Sequence, residues 1–108
     1  MDNSKIKVLI ADDHKIVRDG LKTLLESQSD LEIVGETMDG RSTVKAVESL
    51  SPDIVIMDIA MPQLNGIEAT RQIVSEHPGT KVVALSMHSD KRFVMEMLQA
   101  GASAYLLK

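Results

Sequence analysis

Four polar positions of this 108-residue chain hold side chains that could do chemistry together. Each stands at or directly after the end of a short apolar run, as Asp58 does after Ile54-Val55-Ile56-Met57. Short apolar runs that end in polar or turn residues are typical of buried β-strands. In a sheet of parallel strands the carboxyl ends lie along one edge, so polar groups there can converge. The positions are Asp12-Asp13, Asp58, Ser86 and Lys108.

The carboxylates of this set predict a cation site. Asp12, Asp13 and Asp58 would follow neighbouring strands, and three like charges in close contact are not all stable as ions without a cation. Carboxylate oxygens beside an open pocket suit Mg²⁺, which keeps several water ligands. A lysine ammonium and a serine hydroxyl at the same edge make the set typical of phosphoryl transfer, which depends on positioning and charge neutralisation.

Asp58 is the best candidate for the nucleophile of such a reaction. It stands alone at a strand end between Met57 and Ile59, where it could form a covalent acyl phosphate. Asp12 and Asp13 have a competing role, because either is well placed to cap the helix that follows.

Each of these residues also has a simpler role when it is considered alone. Asp58 could merely accept hydrogen bonds from backbone N–H groups in its turn. The Asp12-Asp13 pair could supply a helix cap and surface charge. Ser86 alone is typical of a turn, and Lys108 of a solvated chain end. We favour the functional interpretation because all four positions fall at strand ends of one predicted sheet.

Strand and helix patterns alternate along the whole chain. Strands are predicted at residues 6–11, 31–37, 54–58, 81–85 and 104–107, with helical apolar spacing between each pair. This βαβαβαβαβ order demands a parallel sheet with right-handed crossovers and helices on both faces. We therefore predict an α/β fold, a flavodoxin-like doubly wound five-stranded parallel sheet of order 2-1-3-4-5.

Turn and cap residues add detail to this fold. The charged Glu32 and Glu36 and the glycine at position 35 favour an edge position for the second predicted strand. Ser89 or Asp90 would cap the fourth helix, and Gly101 would end it.

The composition excludes several classes of protein. A formal net charge of −4 leaves no basic patch for direct nucleic-acid binding, and the absence of cysteine excludes disulfides and thiolate metal sites. His14, His77 and His88 are scattered without ligand spacing, so no zinc site is expected. The first apolar run, Val8 to Ala11, is too short for the apolar region of a signal peptide or for a membrane span, so we expect a cytoplasmic protein without membrane contact.

Taken together, the motifs resemble the receiver domain of two-component response regulators, and most closely those attached to LuxR/NarL/FixJ-type DNA-binding outputs. The similarity covers nearly the whole chain, and the order and spacing of its segments are highly specific. The segments are Val8-Leu9-Ile10-Ala11-Asp12-Asp13-His14, Val17-Arg18-Asp19-Gly20-Leu21, Asp53 to Asp58 with Met61-Pro62 and Gly66, Leu85-Ser86, and Gly101-Ala102-Ser103-Ala104-Tyr105-Leu106-Leu107-Lys108.

The resemblance implies that Asp58 accepts a phosphoryl group from a sensor histidine kinase. It also implies that Mg²⁺ is bound directly by Asp13, Asp58 and the backbone carbonyl of Ala60, and through a water molecule by Asp12. Such a domain is a phosphoacceptor with at most slow self-dephosphorylation, and not an enzyme in the usual sense.

The resemblance further implies a switch that reports phosphorylation. Ser86 and Lys108 would bind the phosphoryl oxygens. Ser86 would also couple to Tyr105, whose ring turns inward on activation and reshapes the face formed by the fourth helix and fifth strand. Homodimerisation on activation would follow, and DNA would be contacted only through an output domain that this chain does not include.

Two features depart from the family pattern. Ala104 stands where glycine is usual, beside the proposed switch tyrosine. The chain also stops at Lys108, before the fifth helix that such domains carry. We therefore expect residues 1–108 to be a receiver domain truncated before its last helix, either as a fragment or with a second chain covering the uncovered strands.

Single positions of the sequence argue against two other functions on related folds. A haloacid-dehalogenase-like phosphatase needs a second aspartate two residues after its nucleophile, and Ala60 occupies that position. A flavodoxin needs a phosphate-binding loop rich in Ser, Thr and Gly after the first strand, where this chain has Asp12-Asp13-His14. A phosphorylation-independent interaction module on the same fold remains the alternative.

Overall fold

The computed structural model describes residues 5–58, 66–86 and 91–107 and shows strands and helices in strict alternation. The strands are β1 (Ile6–Ala11), β2 (Leu31–Thr37), β3 (Ile54–Asp58), β4 (Lys81–Ser86) and β5 (Ala104–Leu107). The helices are α1 (Lys15–Glu26), α2 (Gly40–Leu50), α3 (Gly66–Glu76) and α4 (Lys91–Ala100).

All neighbouring strands are parallel, and the sheet has the order β2-β1-β3-β4-β5. The doubly wound α/β fold and the predicted order of the first four strands are confirmed, and in the structure β5 pairs with β4. Chain order reverses at β1, whose neighbours are β2 and β3. In a sheet of this kind ligands bind beyond the carboxyl ends of the strands at such a reversal.

The hydrophobic core lies mainly between the sheet and helices α2, α3 and α4. Its members are Leu9, Ala11, Val47, Val55, Met57, Ala69, Ile73, Val82, Ala84, Met97 and Ala102. On the opposite face Val8 and Ile10 are buried, whereas Ile54, Ile56 and Val83 are only half-buried. Strand β3 is therefore fully buried on one face and partly buried on the other, although its continuous apolar run predicted cover on both.

Helix α1 forms as predicted and begins at Lys15, but its N-cap differs from the prediction. Neither Asp12 nor Asp13 is the N-cap. That position is His14, which makes no side-chain capping bond. The Asp12 carboxylate instead accepts a hydrogen bond from the His14 N–H, in the turn before the helix. The prediction was wrong because the strand ends one residue before Asp12 and the turn takes the next three residues.

The buried side of α1 also differs from its apolar pattern. Ile16 and Leu24 are exposed, while the side chain of Arg18 is buried. A charged group on the inner face of a helix requires partners there, and those partners belong to the candidate site described below.

The edge position predicted for β2 is confirmed. Its register against β1 shifts between Val8 and Leu9, where Leu9 pairs with Gly35 instead of Val34. A side chain at Gly35 would approach Leu50 Cδ1 to 3.0 Å and Leu9 Cδ1 to 3.2 Å, so the glycine permits close packing of α2 on the sheet.

Two helix ends are set by single residues. Asp39 caps α2 through its carboxylate, which accepts a hydrogen bond of 2.8 Å from the Ser42 N–H. Gly101 ends α4 as predicted, with φ at 115°, and the Ala102 N–H donates to the Met97 carbonyl. The predicted caps of α4, Ser89 and Asp90, lie outside the described residues.

None of the helices in the described ranges combines the length and the apolar character needed to cross a bilayer.

We expect replacement of Asp39 by alanine to lower the free energy of unfolding by about 1 kcal/mol, because α2 loses its N-cap. The hydrogen bond from the Ser42 N–H holds the pKa of Asp39 below its ordinary value of 3.8. The part of this stabilisation that depends on the carboxylate charge is therefore complete above pH 3.8 and is lost as the pH falls through the folded-state value. Urea unfolding at neutral and acidic pH measures both effects.

Asparagine at position 39 is the matched control, since it keeps an acceptor for the Ser42 N–H but does not ionise. It should retain most of the stability at neutral pH and remove this part of the acid dependence. Equal stability of Asp39→Ala and the unmodified chain at neutral pH would contradict the assignment.

Candidate functional site

The carboxyl ends of β1 and β3 bring Asp12 and Asp58 to the same level of the sheet. Ala11, the last residue of β1, pairs with Met57, and Asp58 closes β3. Both residues are almost completely buried, with 1% of Asp12 and 3% of Asp58 exposed. The structure thus brings together carboxylates that the sequence analysis placed at one edge of the sheet.

Asp13 and His14 complete a cluster with these two residues. One ligand atom from each of Asp12, Asp13, His14 and Asp58 lies within 4.8 Å of the others. His14 Nδ1 is 3.1 Å from Asp12 Oδ1 and 3.1 Å from Asp13 Oδ1. The side chains of Asp13 and His14 are 33% and 59% exposed, so the cluster is open to solvent on their side.

Backbone hydrogen bonds fix the position of Asp12. Its N–H donates to the Thr37 carbonyl at the end of β2, at 3.0 Å. Its carbonyl accepts from Arg18 Nη1 at 2.7 Å, and its Oδ1 accepts from the His14 N–H at 2.8 Å. Because the backbone is held on both sides, the carboxylate is directed toward the cluster without a large loss of entropy on ligand binding.

Arg18 connects this turn to the edge strand. The residue is 9% exposed, and besides the Asp12 carbonyl its guanidinium contacts Glu36, with Nε 3.1 Å from Oε1. Lys22 Nζ lies 2.9 Å from the other oxygen of Glu36. The rigid fork of an arginine suits such a double contact, which a lysine cannot reproduce.

The electrostatic environment of Glu36 follows from these contacts. The hydrogen bond from Lys22 is the largest cause that lowers the pKa of Glu36 below its ordinary value of 4.5, and Arg18 adds to it. The carboxylate therefore stays ionised at neutral pH and keeps Arg18 in place between β2 and the Asp12 turn.

The remaining predicted site residues are located only in part. Ser86 ends β4 and pairs with Leu107, while Leu85 pairs with Asp58, so the Ser86 backbone lies one residue beyond Asp58 on the adjacent strand. Tyr105 pairs with Ala84 in β5. Their side-chain roles stay predictions. Ala60 and Lys108 lie outside the described residues.

The donor set at the described strand ends fits a divalent cation. It combines the oxygens of Asp12, Asp13 and Asp58, two of them on nearly buried residues, with an opening to solvent. Hard oxygen donors with room for water are what Mg²⁺ requires. A cation there would also relieve the repulsion among carboxylates held at close distance.

Sequence reasoning missed two residues of this site. The three histidines lack metal-ligand spacing, which gives no sign of His14's place in the site, although it directly follows the acidic pair. Arg18 belongs to a segment of the family resemblance, but that resemblance implies no role for it in the site. Its position between Val17 and Leu21, on the side of α1 where helical periodicity predicts burial, is the signal that could have identified it.

Comparison with known proteins identifies relatives across the whole chain. The family model described as the response regulator receiver domain matches residues 8–108. The transcriptional regulatory protein DegU of Brevibacillus brevis is 43% identical over 108 residues, which are 100% of this chain and 46% of that protein. The chain thus spans about half the length of the curated relatives it matches.

Solved structures give the same result for the fold. A two-component response regulator of the LuxR family from Aurantimonas sp. SI85-9A1 matches with a TM-score of 0.91 and 34% identity, over 97% of this chain and 75% of that one. A chain of the CheX-CheY-BeF3-Mg²⁺ complex from Borrelia burgdorferi matches with a TM-score of 0.91 and 26% identity, over 97% of this chain and 79% of that one.

We expect Arg18→Met to lower the free energy of unfolding by about 2–3 kcal/mol, because it removes hydrogen bonds to the Asp12 carbonyl and to the charged Glu36. Lys15→Met on the same helix is the control. Its ion pair with Asp19 is exposed, so that replacement should change stability by less than about 0.5 kcal/mol. Urea unfolding of both variants measures the difference, and similar small effects would show that Arg18 does not hold the turn.

Proposed function

Because the chain belongs to the response regulator receiver domain family of two-component systems, we propose that it is a phosphorylation-controlled switch with Asp58 as phosphoacceptor. Phosphorylation and Mg²⁺ are general features of this family. The observation that carries the assignment is the grouping of Asp58 with Asp12 and Asp13 at the carboxyl end of β3, in a cluster open to solvent on one side.

The proposed reaction is transfer of a phosphoryl group to the Asp58 carboxylate. One oxygen of Asp58 forms a bond to phosphorus while the bond between phosphorus and the imidazole nitrogen of a sensor kinase histidine breaks. The imidazole leaves with the bonding electron pair, and the product is an acyl phosphate on Asp58. The short strand end holds the acceptor rigidly, which supplies the positioning on which phosphoryl transfer depends.

Residues around the phosphoacceptor would bind the cation. Asp13, Asp58 and the carbonyl of Ala60 would bind Mg²⁺ directly, and Asp12 would bind it through water. When bound, the cation supplies positive charge beside the phosphoryl oxygens and the carboxylates. The fixed Asp12 backbone and the acid cluster support this assignment, as does the presence of BeF3 and Mg²⁺ in the name of a structural relative.

Ser86 and Lys108 would complete the site by binding phosphoryl oxygens. The position of Ser86 at the end of β4, next to the strand that carries Asp58, supports its part. A rotation of the Tyr105 ring, coupled to Ser86, would transmit the effect of phosphorylation to the face formed by α4 and β5.

The descriptions of the relatives indicate what such a switch would control. DegU is described as a transcriptional regulatory protein, and this chain corresponds to less than half of it. We propose that residues 1–108 act as the receiver part of such a regulator, that phosphorylation promotes pairing of receiver domains, and that another part of the regulator contacts DNA.

Intact-mass spectrometry after incubation with acetyl phosphate tests the acceptor. The unmodified chain should gain one phosphoryl group with Mg²⁺ and none with a chelator, because the cation offsets the charge of the acid cluster. Asp58→Asn should gain none under either condition. Asp53→Asn, directly before the other end of β3, is the matched control and should behave like the unmodified chain.

Phosphate uptake by Asp58→Asn equal to that of the unmodified chain would assign the acceptor elsewhere. No uptake by the unmodified chain with Mg²⁺ would favour the phosphorylation-independent interaction module instead.

A further inference from the structure

The side chains of Glu48, Glu76 and His77 come together where α2 and α3 end. Glu48 is in the last turn of α2, Glu76 is the last residue of α3, and His77 follows it directly. One ligand atom from each lies within 4.8 Å of the others. The two helices end where the chain enters β3 and β4, so this group lies at the opposite end of the sheet from Asp58.

The imidazole of His77 has a nitrogen that the protein leaves unbonded. Its Nε2 atom is buried and has no hydrogen-bond partner within the described residues, although the glutamates of the group are exposed. Buried polar atoms are nearly always paired with protein groups, water or an ion. The backbone of His77 is held on both sides, by the Ile73 carbonyl at 2.7 Å and the Thr80 N–H at 2.9 Å. The residue is therefore fixed beside two carboxylates while this nitrogen lacks a bond.

The electrostatic environment of the group favours a cation. Carbonyl groups at the carboxyl end of a helix carry partial negative charge, and two helices end here. Neither α2 nor α3 has a lysine or arginine in its last turn, where Glu48 and Glu76 instead add negative charge. A bound cation would offset the charge of the carboxylates and of both helix ends.

The donor types indicate which cation fits. Zn²⁺ binds imidazole nitrogen and carboxylate oxygen, and it accepts three protein ligands with water in a fourth position. Mg²⁺ and Ca²⁺ are bound by oxygen donors. Ligand atoms of a tetrahedral Zn²⁺ ion are about 3.3 Å apart, so atoms now within 4.8 Å need to approach each other by at most about 1.5 Å. Exposed glutamate side chains can move this far by changing rotamer.

We propose that Glu48, Glu76 and His77 form a Zn²⁺ site that joins the ends of α2 and α3, with one coordination position left to water. Histidine spacing along the chain does not reveal this site, because the fold brings Glu48 to the pair formed by Glu76 and His77 from a different helix. The site is separate from the acid cluster and does not depend on the phosphoryl transfer proposed above.

Isothermal calorimetry with Zn²⁺ on the full chain, in an excess of Mg²⁺ that competes for the acid cluster, tests the site. We expect His77→Gln and Glu48→Gln each to weaken Zn²⁺ binding by about 10-fold or more, because each variant loses one ligand. Glu26→Gln is the matched control, since Glu26 is an exposed glutamate at the end of α1. It should leave the affinity unchanged.

Two further measurements separate ligation from an indirect effect on the fold. In ¹⁵N spectra of the histidine rings, Zn²⁺ should shift one ring nitrogen of His77 in the unmodified chain. Zn²⁺ should also raise the urea midpoint of the unmodified chain, because ligands from two helices come together only in the folded state. The midpoint of Glu48→Gln should rise much less. Glu48 is exposed, so this variant tests the site even if His77→Gln folds poorly.

Three outcomes would overturn the proposal. The first is absence of Zn²⁺ binding by the unmodified chain, and the second is binding that neither His77→Gln nor Glu48→Gln weakens. The third is weakening by His14→Gln in place of these two variants, which would place the ion in the acid cluster. None of these results bears on phosphorylation of Asp58, which the acetyl phosphate experiment tests separately.

Discussion

Repulsion among carboxylates at the carboxyl ends of β1 and β3 is the constraint on which the rest of the structure depends. Asp12 and Asp58 are almost completely buried, and Asp13 lies beside them. Burial of like charges opposes folding unless nearby dipoles or a cation offset them. A parallel sheet with a reversal of chain order at β1 forces this arrangement, because it places both strand ends at the same level.

The surrounding elements hold the cluster in place. Arg18 donates a hydrogen bond to the Asp12 carbonyl, and the Thr37 carbonyl accepts one from the Asp12 N–H. The guanidinium is anchored by Glu36, which is itself paired with Lys22. The edge strand β2 therefore contributes to the site without supplying a member of the acid cluster.

Most of the fold and the location of Asp58 could be predicted from the sequence, because changes in residue type mark the ends of the strands. The run from Ile54 to Met57 locates β3 and therefore Asp58, and the alternation of helices and strands then determines the sheet. The N-cap of α1 was predicted wrongly, since the sequence does not show which residue of the turn immediately precedes the helix. His14 and Arg18 were missed because their importance depends on contacts with Asp13 and Glu36, which only the folded chain creates.

We propose that a divalent cation relieves the repulsion within this acid cluster. Urea unfolding of the unmodified chain and Asp58→Asn, with and without Mg²⁺, tests it most directly. Without Mg²⁺ the Asn variant should be the more stable protein, because one buried charge is removed. Mg²⁺ at about 100 times its dissociation constant should stabilise the unmodified chain by about 2.7 kcal/mol and Asp58→Asn by much less. A less stable Asn variant, together with no effect of Mg²⁺ on the unmodified chain, would contradict the account.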